Sequence, residues 1–141
     1  MLNVLIIEDD AVMLKAIDYI LKKNGYNTIV ARNGKEAFEI IDAGTFDLVV
    51  TDLMMPFNSG LEVISRVRNH STGSNAGIIV ISAMGQESTI TEAFGLGADD
   101  YLIKPILVGE LLSRINRLFV SKGSASGIND GMPHPVPAIS G

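Results

Sequence analysis

Short apolar segments alternate with longer amphipathic segments over the first 120 residues of the chain. The apolar segments are rich in β-branched residues and are apolar at consecutive positions, as in VLII and IIVI, which predicts buried strands. The segments between them carry apolar residues at intervals of three and four, which predicts helices. The predicted strands are residues 2–7, 26–31, 47–51, 77–82 and 101–103, and the predicted helices are residues 11–23, 34–43, 60–69, 86–95 and 107–120.

Regular alternation of strand and helix predicts a parallel sheet with helices on both faces. We therefore expect a doubly wound α/β domain with five strands over residues 1–120. Ligands of such domains bind outside the carboxyl ends of the strands, where the strand order reverses. Residues 121–141 are rich in Gly, Ser and Pro without periodicity, which predicts a flexible tail or a linker to a further domain.

Composition narrows the function classes. The sequence has no cysteine, which excludes disulfides and thiolate metal sites. It has no basic, apolar leader and no apolar run near the roughly 20 residues of a membrane span, so we expect a cytoplasmic protein without membrane contact. The net charge of −5, without a large basic cluster, argues against direct nucleic-acid binding.

Polar residues lie at the carboxyl ends of four predicted strands. They are Glu8, Asp9 and Asp10 after the first strand, Asp52 after the third, Ser82 at the end of the fourth and Lys104 after the fifth. If the first and third strands are neighbours, their carboxylates converge in one crevice, where mutual repulsion requires a positive charge. A hard divalent cation with oxygen ligands, such as Mg²⁺, and the nearby lysine would supply that charge.

A carboxylate beside Mg²⁺, a lysine and a hydroxyl suits phosphoryl transfer. Asp52 stands alone at its strand end and is the candidate nucleophile, whereas Glu8 and Asp9 are adjacent and suit metal binding. Ser82 would donate a hydrogen bond to a phosphoryl oxygen. Each residue also has an ordinary structural interpretation, because Asp after a strand is often a cap or turn residue and acidic runs are often solvated surface.

Together these residues resemble the receiver domain of two-component response regulators, of the single-domain, chemotaxis-regulator-like kind. The similarity covers residues 2–120 and rests on VLIIEDD, DLVVTDLMMPFNSGLEVI, IIVISA and GADDYLIKP. It implies the flavodoxin-like strand order 2-1-3-4-5. It also implies a phosphorylation-activated signalling switch, a phosphoprotein that catalyses only its own phosphorylation and slow autodephosphorylation.

The resemblance implies roles for four residues around the metal. Asp52 matches the phosphoacceptor, which takes its phosphoryl group from the phosphohistidine of a sensor histidine kinase or histidine phosphotransfer protein. Asp9 matches the direct ligand of Mg²⁺ (or Mn²⁺), and Glu8 matches the acidic neighbour that acts through water. Met54 lies where the family lends a backbone carbonyl to the metal.

The resemblance also implies how the signal leaves the site. Lys104 matches the lysine that pairs with the phosphoryl group, and its bond to Pro105 is one that the family often makes cis. Ser82 matches the switch hydroxyl, and Tyr101 matches the aromatic residue that turns inward when the hydroxyl moves. Residues 83–120 match the output face, which would bind a downstream protein or a second copy of the chain.

Two other classes of function remain open at this point. An aspartate-nucleophile phosphohydrolase would need a second carboxylate two residues after Asp52, and Met54 occupies that position. A protein-interaction module that is not phosphorylated would have no need of the complete set of acidic, hydroxyl and lysine residues. The sequence therefore favours the switch.

Overall fold

Strands and helices alternate along a computed structural model, which describes residues 2–55, 59–70 and 75–123. The strands are β1 (Asn3–Ile7), β2 (Asn27–Ala31), β3 (Leu48–Thr51), β4 (Gly77–Ser82) and β5 (Asp100–Ile103). The helices are α1 (Ala11–Lys23), α2 (Gly34–Ala43), α3 (Gly60–Arg68), α4 (Glu87–Leu96) and α5 (Val108–Gly123). Every predicted strand and helix is present, with small differences at the ends.

The end of α5 differs from the expected domain boundary. The helix continues to Gly123, past residue 120, so the first residues of the predicted tail are helical. Residues 124–141 of that tail lie outside the described residues. Within the described ranges, no helix has both the length and the apolar composition that crossing a bilayer requires.

The five strands form one parallel sheet in the order β2-β1-β3-β4-β5, which confirms the expected fold class. Ile7 at the end of β1 pairs with Thr51 at the end of β3. The two strands therefore end side by side, and the residues that follow them, Glu8 and Asp52, leave the sheet at the same edge. This register creates the crevice that the sequence predicted.

The strands are apolar at consecutive positions because both faces of the sheet are covered. Leu5, Ile7 and Val49 pack on one face against α2, α3 and α4. Val4, Ile6 and Val50 pack on the other face against α1 and α5. The sheet is thus fixed between two apolar layers, and its carboxyl edge is a rigid base for polar side chains.

Helix ends follow local capping chemistry. The side chain of Asp10 accepts hydrogen bonds from the amides of Val12 and Met13 at the start of α1. Ser59 and Glu62 form a capping box at the start of α3. By contrast, the N-cap residue of α4, Gln86, makes no side-chain cap, and Ala93 is the one buried residue of the helix. The start of α4 therefore lacks the side-chain cap that holds the starts of α1 and α3.

The C-terminal end of α4 is held by a side chain from α3. Arg68 donates hydrogen bonds to the carbonyl oxygen of Gly97 at 3.0 and 2.7 Å and forms an ion pair with Asp99 at 2.9 Å. Gly97 adopts a φ of 121°, which favours glycine, and a Cβ there would lie 2.8 Å from Arg68. The far end of α4 is thus fixed, in contrast to its start beside the crevice.

Gly60 allows α3 to begin against the backbone that follows β3. A Cβ at Gly60 would overlap the carbonyl oxygen of Asp52 and lie 2.7 Å from the Cα of Leu53. Because both atoms belong to the main chain, relief requires backbone movement. We expect Gly60→Ala to lower the free energy of unfolding by about 1–3 kcal/mol in urea denaturation.

Gly95→Ala is the matched control. A Cβ at Gly95, within α4, meets no atom within 4 Å. Alanine is the better helix former, so this variant should be as stable as the wild type or up to about 1 kcal/mol more stable. A similar loss of stability in both variants would contradict the steric explanation for Gly60.

Candidate functional site

Three carboxylates meet at the carboxyl edge of the sheet. One oxygen from each of Glu8, Asp9 and Asp52 lies within 4.8 Å of the other two. Glu8 is 0% exposed and Asp52 is 5% exposed, whereas Asp9 is exposed. The predicted convergence of these carboxylates is confirmed, and the cluster opens to solvent on the side of Asp9.

Lys104 supplies a positive charge to this cluster from the end of β5. Its Nζ lies 2.9 Å from Oδ2 of Asp52 and 3.0 Å from Oε1 of Glu8. Partial burial favours the neutral amine, but the contacts with Asp52 and Glu8 outweigh it and raise the pKa of Lys104 above its ordinary 10.5. The lysine therefore carries its charge at neutral pH.

The carboxylate of Glu8 is buried and incompletely satisfied. Oε2 accepts a hydrogen bond from the amide of Asp10 at 3.1 Å. Oε1 forms the ion pair with Lys104, but that contact lacks the alignment of a hydrogen bond. Burial, the largest cause, raises the pKa of Glu8 above its ordinary 4.5, and the contacts with Lys104 and Asp10 offset this only in part.

The carboxylate of Asp52 is held at both oxygens. Its amide continues the sheet by donating to the carbonyl of Ile7 at 3.0 Å. Oδ1 accepts hydrogen bonds from the amides of Leu53 at 2.6 Å and Met54 at 3.3 Å, and Oδ2 accepts one from Lys104. These contacts fix the orientation of the Asp52 carboxylate.

A hydroxyl and a phenol bind the segment that follows β4. Ser82 is fully buried, and its Oγ accepts a hydrogen bond from the amide of Met84 at 3.1 Å. Tyr101 is buried as well, and its hydroxyl donates to the carbonyl of Met84 at 2.6 Å. The bond between Lys104 and Pro105 is cis. Ser82 and Tyr101 thus both bond to the backbone of Met84, one at its amide and the other at its carbonyl.

The site fits a hard divalent cation. The three carboxylates offer oxygen ligands and outnumber the one lysine, so negative charge remains to be balanced. Glu8 Oε1 is buried and accepts no hydrogen bond, which suits an oxygen that faces a cation or its water. Among the described residues, no backbone amide donates a hydrogen bond to the carbonyl of Met54. Few protein oxygens at an open site are typical of Mg²⁺, which keeps several waters.

Known proteins share the sequence pattern of this chain. Residues 4–116 match the family model of the response regulator receiver domain. The transcriptional regulatory protein CrdR of Helicobacter pylori is 36% identical over 117 residues, which cover 83% of this chain and 54% of that protein. The chain spans about half the length of the curated relatives that it matches.

Solved structures share the fold. The receiver domain of the Francisella response regulator 1452 is 33% identical with a TM-score of 0.79, and the match covers 86% of this chain and 99% of that one. A response regulator protein from Burkholderia pseudomallei is 26% identical with a TM-score of 0.75, covering 91% of this chain and 76% of that one. That structure contains a phosphorylated aspartic acid, a calcium ion and citrate.

The burial that raises the pKa of Glu8 predicts that its ionised form lowers the stability of the metal-free protein. Folding raises the pKa of Glu8. Protonated Glu8 therefore contributes stability that is fully present below its pKa in the unfolded chain and is lost as the pH rises through its pKa in the folded protein. With a chelator present, we expect Glu8→Gln to raise the free energy of unfolding at neutral pH, because the amide carries no charge to bury. Its stability should also fall less as the pH rises above about 4.5.

Glu39→Gln, on the exposed surface of α2, removes the same charge outside the cluster and should leave stability unchanged. Urea denaturation across a pH series compares both variants with the wild type. If Glu8→Gln is less stable than the wild type in chelator, the buried charge is not the destabilising feature.

Proposed function

This chain belongs to the response regulator receiver domain family, and on that premise we propose that it is a signalling switch controlled by Mg²⁺-dependent phosphorylation of Asp52. The observation that carries the proposal is the meeting of Glu8, Asp9 and Asp52 with Lys104 at one sheet edge. No single member of this set would suffice, because phosphoryl transfer needs a nucleophile and compensation of charge at the same point.

In the proposed reaction, a carboxylate oxygen of Asp52 attacks the phosphorus of a phosphohistidine. The oxygen–phosphorus bond forms as the phosphorus–nitrogen bond breaks, and the imidazole leaves with a proton from solvent. Lys104, 2.9 Å from the acceptor, balances the charge on the phosphoryl oxygens. Ser82, on the strand beside β3, donates a hydrogen bond to one of them. The donor is a sensor histidine kinase or a histidine phosphotransfer protein.

Four groups would hold the cation. Asp9 would be the direct ligand, Glu8 would act through water, and Asp52 and the carbonyl of Met54 would supply the remaining protein oxygens. Mg²⁺, or Mn²⁺ in its place, neutralises phosphoryl charge when bound. The exposure of Asp9 and the incompletely satisfied Glu8 support this arrangement. The calcium ion and phosphorylated aspartic acid of the Burkholderia protein support it by analogy.

The proposed output begins at the segment after β4. Ser82 and Tyr101 are the switch pair, and each bonds to Met84. If Ser82 turns toward a phosphoryl group, its bond with the Met84 amide is lost and the start of α4 is released. The missing side-chain cap at Gln86 supports a low cost for this movement. Residues 83–120 then change their affinity for a downstream protein or a second copy.

The proposal extends to the whole chain. We propose that it acts on itself and does not turn over a separate substrate, and that it works in the cytoplasm. Residues 1–120 form the receiver domain, and residues 121–141 form a tail or linker. CrdR is named a transcriptional regulatory protein and is about twice as long as the match. We propose that any link to nucleic acid runs through a further domain or partner and not through the receiver domain.

Phosphorylation can be tested with aspartates at the two ends of one strand. Asp52 directly follows β3, and Asp47 directly precedes it. With acetyl phosphate and Mg²⁺, the wild type and Asp47→Asn should each gain one phosphoryl group by intact mass. Asp52→Asn should gain none, because its amide is not a nucleophile. Phosphorylation of Asp52→Asn, or none in the wild type, would refute the proposal.

Cation binding can be tested by thermal stabilisation, because a ligand of the folded state raises the melting temperature. Asp9→Asn should weaken the response to Mg²⁺ by about tenfold or more in concentration. Asp10→Asn removes an equal charge but keeps the cap of α1, since Asn and Asp cap equally well, and should respond within about twofold of the wild type. Equal losses in both variants would indicate general charge attraction and not a bound ion.

A further inference from the structure

Thr51 has a buried hydroxyl that donates a hydrogen bond to the backbone of its neighbour. The residue ends β3, is 0% exposed, and pairs with the apolar residues Ile7 and Val80 on the neighbouring strands. Valine would fill the same volume. The hydroxyl donates a hydrogen bond to the carbonyl oxygen of Asp52 at 2.8 Å. A buried hydroxyl without a hydrogen bond is costly, so this hydrogen bond is retained in the folded protein. It therefore holds the carbonyl of Asp52 at the end of the sheet.

Fixing that carbonyl also fixes the next amide. The peptide unit between Asp52 and Leu53 is planar and rigid, and its C=O and N–H point in opposite directions. With the oxygen directed to Thr51, the Leu53 amide is directed to Oδ1 of Asp52, which it reaches at 2.6 Å. The hydroxyl of Thr51 therefore influences the orientation of the Asp52 carboxylate through the rigid peptide unit between Asp52 and Leu53.

The following peptide unit repeats the arrangement with a different anchor. The carbonyl of Leu53 accepts a hydrogen bond from the amide of Gly60 at 2.9 Å, and the amide of Met54 reaches Asp52 Oδ1 at 3.3 Å. Thus two successive units each have a carbonyl fixed to the scaffold and an amide directed to the same carboxylate oxygen. The shorter of the two contacts belongs to the unit that Thr51 holds.

We propose that Thr51 is a positioning residue for phosphoryl transfer, because its hydroxyl fixes the Asp52–Leu53 peptide unit and thereby the direction of the acceptor carboxylate. This inference rests on the proposed function of Asp52. Thr51 itself does not touch the phosphoryl group. Its contribution is to limit the orientations of the nucleophile before the donor arrives, and a small misalignment of a nucleophile is costly in rate.

The test compares Thr51→Val, which keeps the shape and removes the hydroxyl, with Thr51→Ser, which keeps the hydroxyl. We expect Thr51→Val to reduce the rate of phosphorylation at saturating acetyl phosphate by about three- to tenfold. The donor concentration for half-maximal rate should stay within about twofold, because donor contacts are unchanged. Thr51→Ser should restore most of the rate.

Amide NMR gives a second reading that does not need phosphorylation. In Thr51→Val, the Leu53 amide proton should move upfield and exchange faster, while the Met54 amide, whose peptide unit Gly60 anchors, should change less. Wild-type rate and an unchanged Leu53 amide in Thr51→Val would overturn the inference, even if the melting temperature falls. If the wild type takes up no phosphoryl group, the proposed function fails, and the Leu53 amide then decides only whether Thr51 orients the Asp52–Leu53 peptide unit.

Discussion

Repulsion among Glu8, Asp9 and Asp52 is the constraint on which the rest of the site depends. These carboxylates are held together because β1 and β3 end at paired residues, and the strands are fixed between two apolar layers. Lys104 offsets part of the negative charge. The apolar core thus maintains an electrostatically unfavourable cluster, and the cluster in turn creates affinity for a cation and for a phosphoryl group.

The surrounding backbone turns this charged cluster into a directed site. Oδ1 of Asp52 is held by two amides and Oδ2 by Lys104, so the acceptor is oriented from both sides. The two amides are themselves held through Thr51 and Gly60. Hydrogen bonds thus orient the acceptor where chemistry is proposed, whereas the start of α4, where a partner would detect a change of conformation, has no side-chain cap.

Several contributors to the site have no clear signal in the sequence. The sequence placed Asp10 among the polar strand-end residues, but the structure shows that it caps α1 and holds Glu8 through its amide. The Met84 backbone joins Ser82 to Tyr101, a role that no side-chain pattern reports. In the sequence, Thr51 is an ordinary strand residue. Its role depends on the hydrogen bond from its hydroxyl to the carbonyl of Asp52, which only the structure shows. Backbone partners are hard to predict because every residue type carries them.

The sequence by itself determined the strands and helices, the covered sheet and the polar residues at the strand ends, because periodicity and capping are local properties. Tertiary structure alone decided that Glu8 is fully buried with a raised pKa while its neighbour Asp9 faces solvent. It also decided that Arg68 reaches from α3 to hold the end of α4. Burial and long-range hydrogen bonds depend on strand register and on how helices and strands pack. Neither register nor packing can be inferred from the residues adjacent in the sequence.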